Sequence, residues 1–471
     1  MRDFPPACRP PCLAMAAALL LAGCASFSPD GGFEAIQSAS RAHIQQDVVW
    51  ARDDETRERV QVRVDALLAR PLTADDAVQV ALLNNPGLQS ALYALGIAES
   101  DWVSAQRLPN PVLTVGRFTR GGEEEWDRAL HVNLARLLTM SMRADIEQRL
   151  FEQTRRNLTL EVLRLASDTR KAWVNAVAAA ESAQVRRQAM DAAEAGAELA
   201  RRMAEAGNWS KLSQAREQAF YADAALAVAR AEQVRLQTRE QLVRLLGVED
   251  PARVQLPARL PELPASLAPM RDVEQQAMRT RIDLQMVKLD AEALGKNYEL
   301  TRSTRFVNVL ELGIENNISN EEQMQHGYEI SFELPLFDFG ESRLVAAESR
   351  YRQMLERARE IAVNARSQVR EAHAMLQSQH GVARHVRDEV LPLKKRISEE
   401  TLLRYNGMLV GVFDLLADAR SQLDAVNAAI ESQRDFWLAE ADLQMALIGK
   451  PGKTPITTTT ASAPADAGGS H

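Results

Sequence analysis

Cysteine is scarce in this 471-residue chain, and it is confined to one end: Cys8, Cys12 and Cys24. Processing ahead of Cys24 leaves a single cysteine, so no disulfide, Cys-x-x-Cys pair or thiol metal site can form in the remainder. Beyond that point no run of eighteen apolar residues occurs, which excludes a membrane-spanning helix. A chain of this kind crosses a bilayer only as a closed barrel. No basic patch stands out against a net charge of −8, which argues against nucleic acid as a partner. No Gly-x-Ser-x-Gly, His-Glu-x-x-His, P-loop or dinucleotide fingerprint stands in its required context, so no constellation supports an enzyme, and no cofactor is expected beyond a covalent lipid. The 14 methionines are scattered rather than gathered into a soft-metal box.

What is present begins with a targeting signal. Arg2 and Arg9 form a positive start, and Leu13 to Leu21 is a nine-residue apolar core too short to span a bilayer. Leu21-Ala22-Gly23-Cys24 then resembles a bacterial lipobox, with acylation expected on Cys24 after removal of residues 1–23. Ala25 after the cysteine favours the outer membrane by the sorting pattern of such lipoproteins.

The chain is written twice. Gly207 to Gln218 matches Gly411 to Gln422 at an offset of 204 (411 − 207), with five of twelve positions identical and Trp209 opposite Phe413. Leu245-Leu246-Gly247 corresponds to Leu447-Ile448-Gly449, and Leu88-Gln89 to Leu284-Gln285. A repeat this long is a duplicated domain-sized half, not a solenoid unit. The expected division is an anchor and linker over 24–71, repeat 1 over 72–249, a linker over 250–270 with five prolines from Pro251 to Pro269, repeat 2 over 271–450, and a disordered Thr/Ala-rich tail over 451–471.

Each half reads as helix, strand pair, very long helix, turn and return helix. Thr73 with Asp76 marks a helix start, and Pro86 opens a second helix running to Gln106. Two short alternating segments follow, 111–119 and 129–135, with a polar loop from Arg120 to Glu125. Repeat 2 has their counterparts at 306–314 and 328–334, with a polar loop from Asn316 to Gln325. Strict alternation gives each strand one apolar and one polar face. In a membrane barrel that pattern puts lipid outside and water inside. Four strands cannot close a barrel, so several chains must share one. Residues 142–206 contain no proline and predict a helix of roughly 98 Å. Its counterpart, 341–406, is interrupted only by Pro392, a candidate kink. The return helices cover 208–246 and 412–448. Leu158, Val162, Leu165, Ala172 and Ala176 recur at helical spacing, an alanine-rich stripe that lets neighbouring helices approach closely.

These residues resemble a family. Leu72-Thr73 through Asn84-Asn85-Pro86 resembles the opening motif of TolC-type outer-membrane efflux proteins. Leu334-Pro335-Leu336-Phe337-Asp338-Phe339-Gly340 resembles their strand-to-helix motif, and Arg404-Tyr405-Asn406-Gly407 with Asp414-Leu415-Leu416 resembles their second hairpin tip. The likeness runs over about residues 72 to 449. It implies a mainly helical protein with a small β part, built as two tandem repeats and trimerising into a twelve-stranded outer-membrane barrel on a helical periplasmic tunnel. It further implies a passive exit duct whose partners are a homotrimer, a periplasmic adaptor, an inner-membrane transporter and outer-membrane lipid. Two departures stand out: repeat 1 lacks the Pro-Leu-Phe motif, and Gly407 falls one residue earlier than in many members.

The tips are where such a tube would close. Asp414 and Asp418 share a helix face and, repeated around an axis, would form acidic rings that act as a gate. The plainer reading has Asp414 capping its own helix and Asp418 solvated. Gly207, Trp209, Ser210, Arg216, Tyr405, Gly407, Gly411, Phe413 and Arg420 are candidate tip or adaptor contacts. Arg216 and Arg420 are equivalent, fitting either an inter-hairpin salt bridge or a merely local pair. His373 and His380 are seven apart with His385 nearby, a spacing far more often packed or solvated than metal-binding. The Arg404-to-Arg420 tip and the Asn208-Trp209-Ser210 turn resemble members that accompany metal-efflux pumps; drugs and exported peptides stay open. Two other classes compete: a periplasmic adaptor, which has one hairpin between β-rich domains, and a structural coiled-coil lipoprotein, which needs no amphipathic strands.

Overall fold

The computed structural model describes residues 26–270, 272–305, 310–319, 324–332 and 337–450. The lipobox residues Leu21, Ala22, Gly23 and Cys24, the motif residues 334–336 and the tail from 451 lie outside them. The stretch expected to be a linker carries two helices, α1 (Phe33–Ile44) and α2 (Asp54–Leu68). Helix α3 (Ala74–Asn84) begins at the capping box read from the sequence. The Thr73 hydroxyl accepts the Asp76 N–H at 3.1 Å, and the Asp76 carboxylate accepts the Thr73 N–H at 3.2 Å. Two donors with no partner inside the helix are thereby satisfied. Asn85 then caps α4 (Pro86–Gln106), with proline in the first turn where no N–H is needed.

Strands β1 (Val112–Arg120) and β2 (Glu123–Asn133) turn on Gly121 and Gly122 alone, at φ 61° and 102°. Both values lie in the left-handed region, as a two-residue hairpin turn requires. The polar loop expected over 120–125 is therefore mostly strand. Leu134, expected within a strand running to residue 135, instead opens the short helix α5 (Leu134–Leu138), because the Asn133 side chain caps the Arg136 N–H at 2.7 Å.

Helix α6 (Met140–Glu205) has 66 residues, about 99 Å of continuous helix. Helix α7 (Lys211–Leu246) returns along it. Repeat 2 gives α8 (Val273–Thr280), α9 (Ile282–Thr304), β3 (Leu310–Ser319), β4 (Gln325–Phe332) and α10 (Glu341–His385). The strand β3 again runs into the expected polar loop. One wide π-helical turn, Val386–Val390, precedes α11 (Leu391–Asn406). Pro392 cannot donate to the preceding turn, and the chain accommodates it by widening that turn. Helix α12 (Val412–Ile448) completes the second hairpin.

The apolar stripe of α6 is the spine of the core. Leu158, Val162, Ala172 and Ala176 are buried, and Trp173 fills the centre with Leu72, Val177, Leu242 and Leu246 around it. Its indole N–H donates to the Leu72 carbonyl at 2.9 Å, so the ring is buried without an orphaned donor. The linker over 250–270 is not a loose tether: Val254, Leu260 and Leu263 are buried in it.

Where two short helices stack end to end beside a long one, a joint forms. In repeat 1 the joint is Asn84-Asn85-Pro86 against the end of α7. Asn84 Nδ2 donates to the Leu246 and Gly247 carbonyls at 3.1 and 2.8 Å, and Asn85 Nδ2 donates to Leu245 at 2.9 Å. Gly247 sits at φ 65°, and a Cβ there would lie 2.7 Å from the Asn84 carbonyl oxygen. That contact explains the Leu-x-Gly ending. In repeat 2 the residue at the place of Asn85 is Arg281, by the offset of 196 (281 − 85) that also relates Leu88 to Leu284. Arg281 is 1% exposed. It donates to the Ala446 carbonyl at 2.9 Å, to both Asp283 oxygens at 3.0 and 2.6 Å, and to Gln368. One joint is made by amides and the other by a buried ion pair, at the same place in both halves.

Breaking a buried ion pair strands a charge, so Arg281→Ala should cost about 3–5 kcal/mol. Asn85→Ala removes a neutral bond and should cost about 1–2 kcal/mol. Urea unfolding followed by the helical signal measures both, and equal costs would contradict the assignment.

Candidate functional site

Two places collect the residues singled out by sequence: the sheet at one end of the helices and the turns at the other. The sheet is antiparallel, in the order β1-β2-β3-β4. The register puts Leu113 beside Leu130, Leu130 beside Ile314 and Ile314 beside Tyr328. The next apolar row joins Val132, Leu312 and Ile330, followed by Leu310 with Phe332. All share one face. Tyr328 is 82% exposed and Ile314 65%, too much apolar surface to leave in water. The opposite face carries Glu123, Glu125, Asp127, Glu311, Glu315 and Glu329, against His131. The strands contain 9, 11, 10 and 8 residues, near the 9–11 that a tilted strand needs to cross a bilayer. Among the described residues, β1 and β4 each have one edge that no strand pairs.

At the other end both turns are five residues long, 206–210 and 407–411. In the first, Gly207 takes the left-handed position at φ 75°. In the second, Gly407 stands one residue too early, and Met408 takes that position at φ 59°. The departure noted in the sequence thus forces a methionine into a conformation that glycine adopts freely. Met408 is 94% exposed and Leu409 77%, with Leu403 and Leu212 also exposed, an apolar tip that the sequence motifs did not single out. Tyr405 is exposed beside them.

Ser210 caps α7 by accepting the Ser213 N–H at 3.0 Å. By sequence its counterpart is Asp414, yet the second return helix starts about one turn earlier, at Gly411. Asp414 therefore sits inside the helix and accepts the Gly411 N–H at 3.0 Å. Its carboxylate is otherwise exposed. Asp418 is half-buried and accepts from the Thr401 hydroxyl on the facing helix α11. The two aspartates are on one helix as expected, with different tethers.

The two tips are joined to each other. Trp209 and Phe413, paired by the repeat alignment, stack with ring centroids 3.9 Å apart and planes 11° from parallel. Arg420 pairs with Glu217 of α7, and its guanidinium carbon lies 3.7 Å from the Phe220 ring centroid. Gly196 of α6 leaves room for it, since a Cβ there would lie 3.4 Å from Arg420 Nη2. Arg420 therefore makes the inter-hairpin bridge, whereas its equivalent Arg216 is exposed. Glu217 was not anticipated, because Ser421 stands at its place in repeat 2 and the duplication hides it. The histidines do not assemble: His380 is buried, bonded to the Pro264 carbonyl at 3.0 Å and tilted against Phe436, while His373 faces Gln377.

The N-terminal segment reaches the helix–strand boundary. Ser28 donates to Glu99 from its backbone and its hydroxyl, and Phe27 lines a 580 Å³ cavity with Arg107, Val112, Asn133 and Arg136.

No family model matches the chain, and no curated protein matches it in sequence. Solved structures do match. The chain is similar to a membrane protein from Pseudomonas aeruginosa, with 19% identity over 82% of this chain and 93% of that one, TM-score 0.68. It is similar to the open state of the Neisseria gonorrhoeae MtrE outer membrane channel, with 19% identity, 83% and 91% coverage and TM-score 0.67. It is also similar to the outer membrane protein VceC of Vibrio cholerae, with 16% identity, 83% and 98% coverage and TM-score 0.63. The chain has the outer-membrane channel fold. It is the mainly helical fold with a small antiparallel sheet that the TolC-type resemblance implies for one chain.

The tip joint predicts energetic coupling. Arg420→Ala, Glu217→Ala and the double variant should show a coupling of about 0.5–3 kcal/mol in a double-mutant cycle. Additive effects would mean that the pair contributes nothing beyond its packing.

Proposed function

We infer that this chain is the outer-membrane exit duct of a tripartite efflux system, a passive conduit rather than an enzyme. One observation carries the reading: an amphipathic four-stranded sheet with two open edges stands at the end of paired hairpins about 100 Å long. Backbone groups at an open edge have no partner in hydrocarbon, so the edges must pair across copies. Three copies give twelve strands, the homotrimer implied by the resemblance. The apolar face meets outer-membrane lipid, the acidic face lines water, and the helices extend into the periplasm.

The exposed Met408, Leu409, Leu403 and Leu212 at the far tips are a docking surface for a periplasmic adaptor, itself joined to an inner-membrane transporter. Gly207, Trp209, Ser210, Gly407, Gly411 and Phe413 shape that surface. Asp414, exposed near the turn, supplies the acidic ring of a gate, and the Arg420–Glu217 pair braces the two hairpins behind it. Acylation at Cys24 belongs to the same reading. Phe27, beside the first residue of β1, lies three residues from Cys24, a reach of about 10 Å. The lipid would therefore enter the bilayer at the level where the strands begin. The excess of carboxylates on the lumen face favours cations, consistent with heavy-metal ions or cationic drugs as cargo. An adaptor role fits less well, because the chain has two hairpins and an amphipathic sheet.

The test is planar-bilayer conductance of the detergent-extracted, acylated protein, with oligomer mass measured in parallel. Trimers giving cation-selective openings support the duct, and a monomer that never conducts overturns it. Asp414→Asn keeps an acceptor for the Gly411 N–H and removes the charge, whereas Asp414→Ala removes both. Larger or longer openings in both variants are expected if the charge gates. A change in Asp414→Ala alone would reduce the residue to a helix cap.

A further inference from the structure

The apolar face of the sheet is interrupted at one level. Val115 pairs with Arg128, Arg128 with Asn316, and Asn316 with His326, so a single row crosses the face with three polar residues on β2, β3 and β4. Neighbouring strands lie about 5 Å apart, so the three polar Cα positions span about 10 Å. On the helix side the next row is Leu130, Ile314 and Tyr328. On the turn side stands Trp126 beside Ile318, with Arg117 against the indole ring, 5.5 Å from its centroid. Arg117 is neutralised by Glu124 on the same face. Arg128 is not: it is exposed, and among the described residues it makes no ion pair.

A guanidinium on a lipid-facing barrel surface is unfavourable at depth and tolerated near the interface. Its row lies midway along β2, five residues from either end, and at the second residue of β4; beyond it toward the turns stand Trp126 and Ile318, a tryptophan of the kind that marks an interface. A neighbouring copy does not cover Arg128, because copies meet at the β1 and β4 edges and Arg128 is on the internal strand β2. The row offers hydrogen-bond donors without a carboxylate, above a wall that fits acyl chains. The geometry points to a binding site for a phosphorylated outer-leaflet glycolipid, one per protomer, with Arg128 on the phosphate and Asn316 and His326 beside it. This rests on the membrane-barrel reading above. Arg is suited to the task, since its planar fork matches two phosphate oxygens at once.

Native mass spectrometry of the acylated oligomer tests it, with diphosphorylated lipid A as probe and its dephosphorylated form as control. The wild type should retain up to three molecules per trimer, at least tenfold more than Arg128→Gln, with Arg128→Lys between them. The dephosphorylated form should be retained as weakly as by Arg128→Gln, and inorganic phosphate should not displace the lipid. Equal retention by wild type and Arg128→Gln, in trimers that still conduct, would overturn this inference alone. Displacement by inorganic phosphate would overturn the glycolipid assignment. A wild-type chain that forms no inserted oligomer would overturn this site and the duct together.

Discussion

Backbone hydrogen bonding in hydrocarbon is the constraint from which the rest follows. Every N–H and C=O at membrane depth needs a partner, and only helices and closed barrels provide one. The described helices include none long and apolar enough to cross a membrane. What the described residues offer instead is a sheet whose internal edges are paired and whose β1 and β4 edges are not. The helical part likewise leaves Val345, Val363, Leu226 and Leu236 exposed among the described residues. In the proposed duct, closure shared between copies covers both.

In the proposed duct, the duplicated halves let one chain supply two equal sectors of the tube. Each half places a long helix against a stacked pair of shorter ones, and the stack holds only if the joint is tied. Asn84 and Asn85 tie one joint and Arg281 the other, each by donating to the last carbonyls of a return helix. These carbonyls lack partners within their own helix. At the far end, Trp209 on Phe413 and Arg420 on Glu217 hold the two hairpins together. The structure is thus pinned between halves at the tip and within halves at the joints.

Much of this was legible in the sequence where the signal is local or periodic. The proline-free stretch gave α6 to within two residues at its start, the Thr73–Asp76 box gave the start of α3, and Pro86 gave the start of α4. Alternation revealed the strands and their faces, though not their lengths. Glu123 to Asp127 look like loop because the strand there leaves the apolar band, and charge on both faces erases the alternation. Long-range ties were less visible. Arg281 and Asn85 do the same work with different chemistry, which a search for identical residues passes over. Glu217 was hidden because its repeat counterpart is a serine. Gly407 was correctly seen as displaced, but that Met408 would take up the left-handed conformation depends on the turn length, known only once both helix ends are placed.

The most direct test of shared closure is cross-linking between the open edges. Cys24 is the only cysteine after residue 12, so engineered thiols elsewhere report with little background. Thr114→Cys on β1 is combined in turn with Gln325→Cys, Gly327→Cys, Glu329→Cys and Ser331→Cys on β4, all on the polar face. In membranes under mild oxidation, one register should give a ladder ending at a covalent trimer, and the single variants none. Cross-links in no register, or a ladder that stops at two, would contradict a barrel closed by three chains.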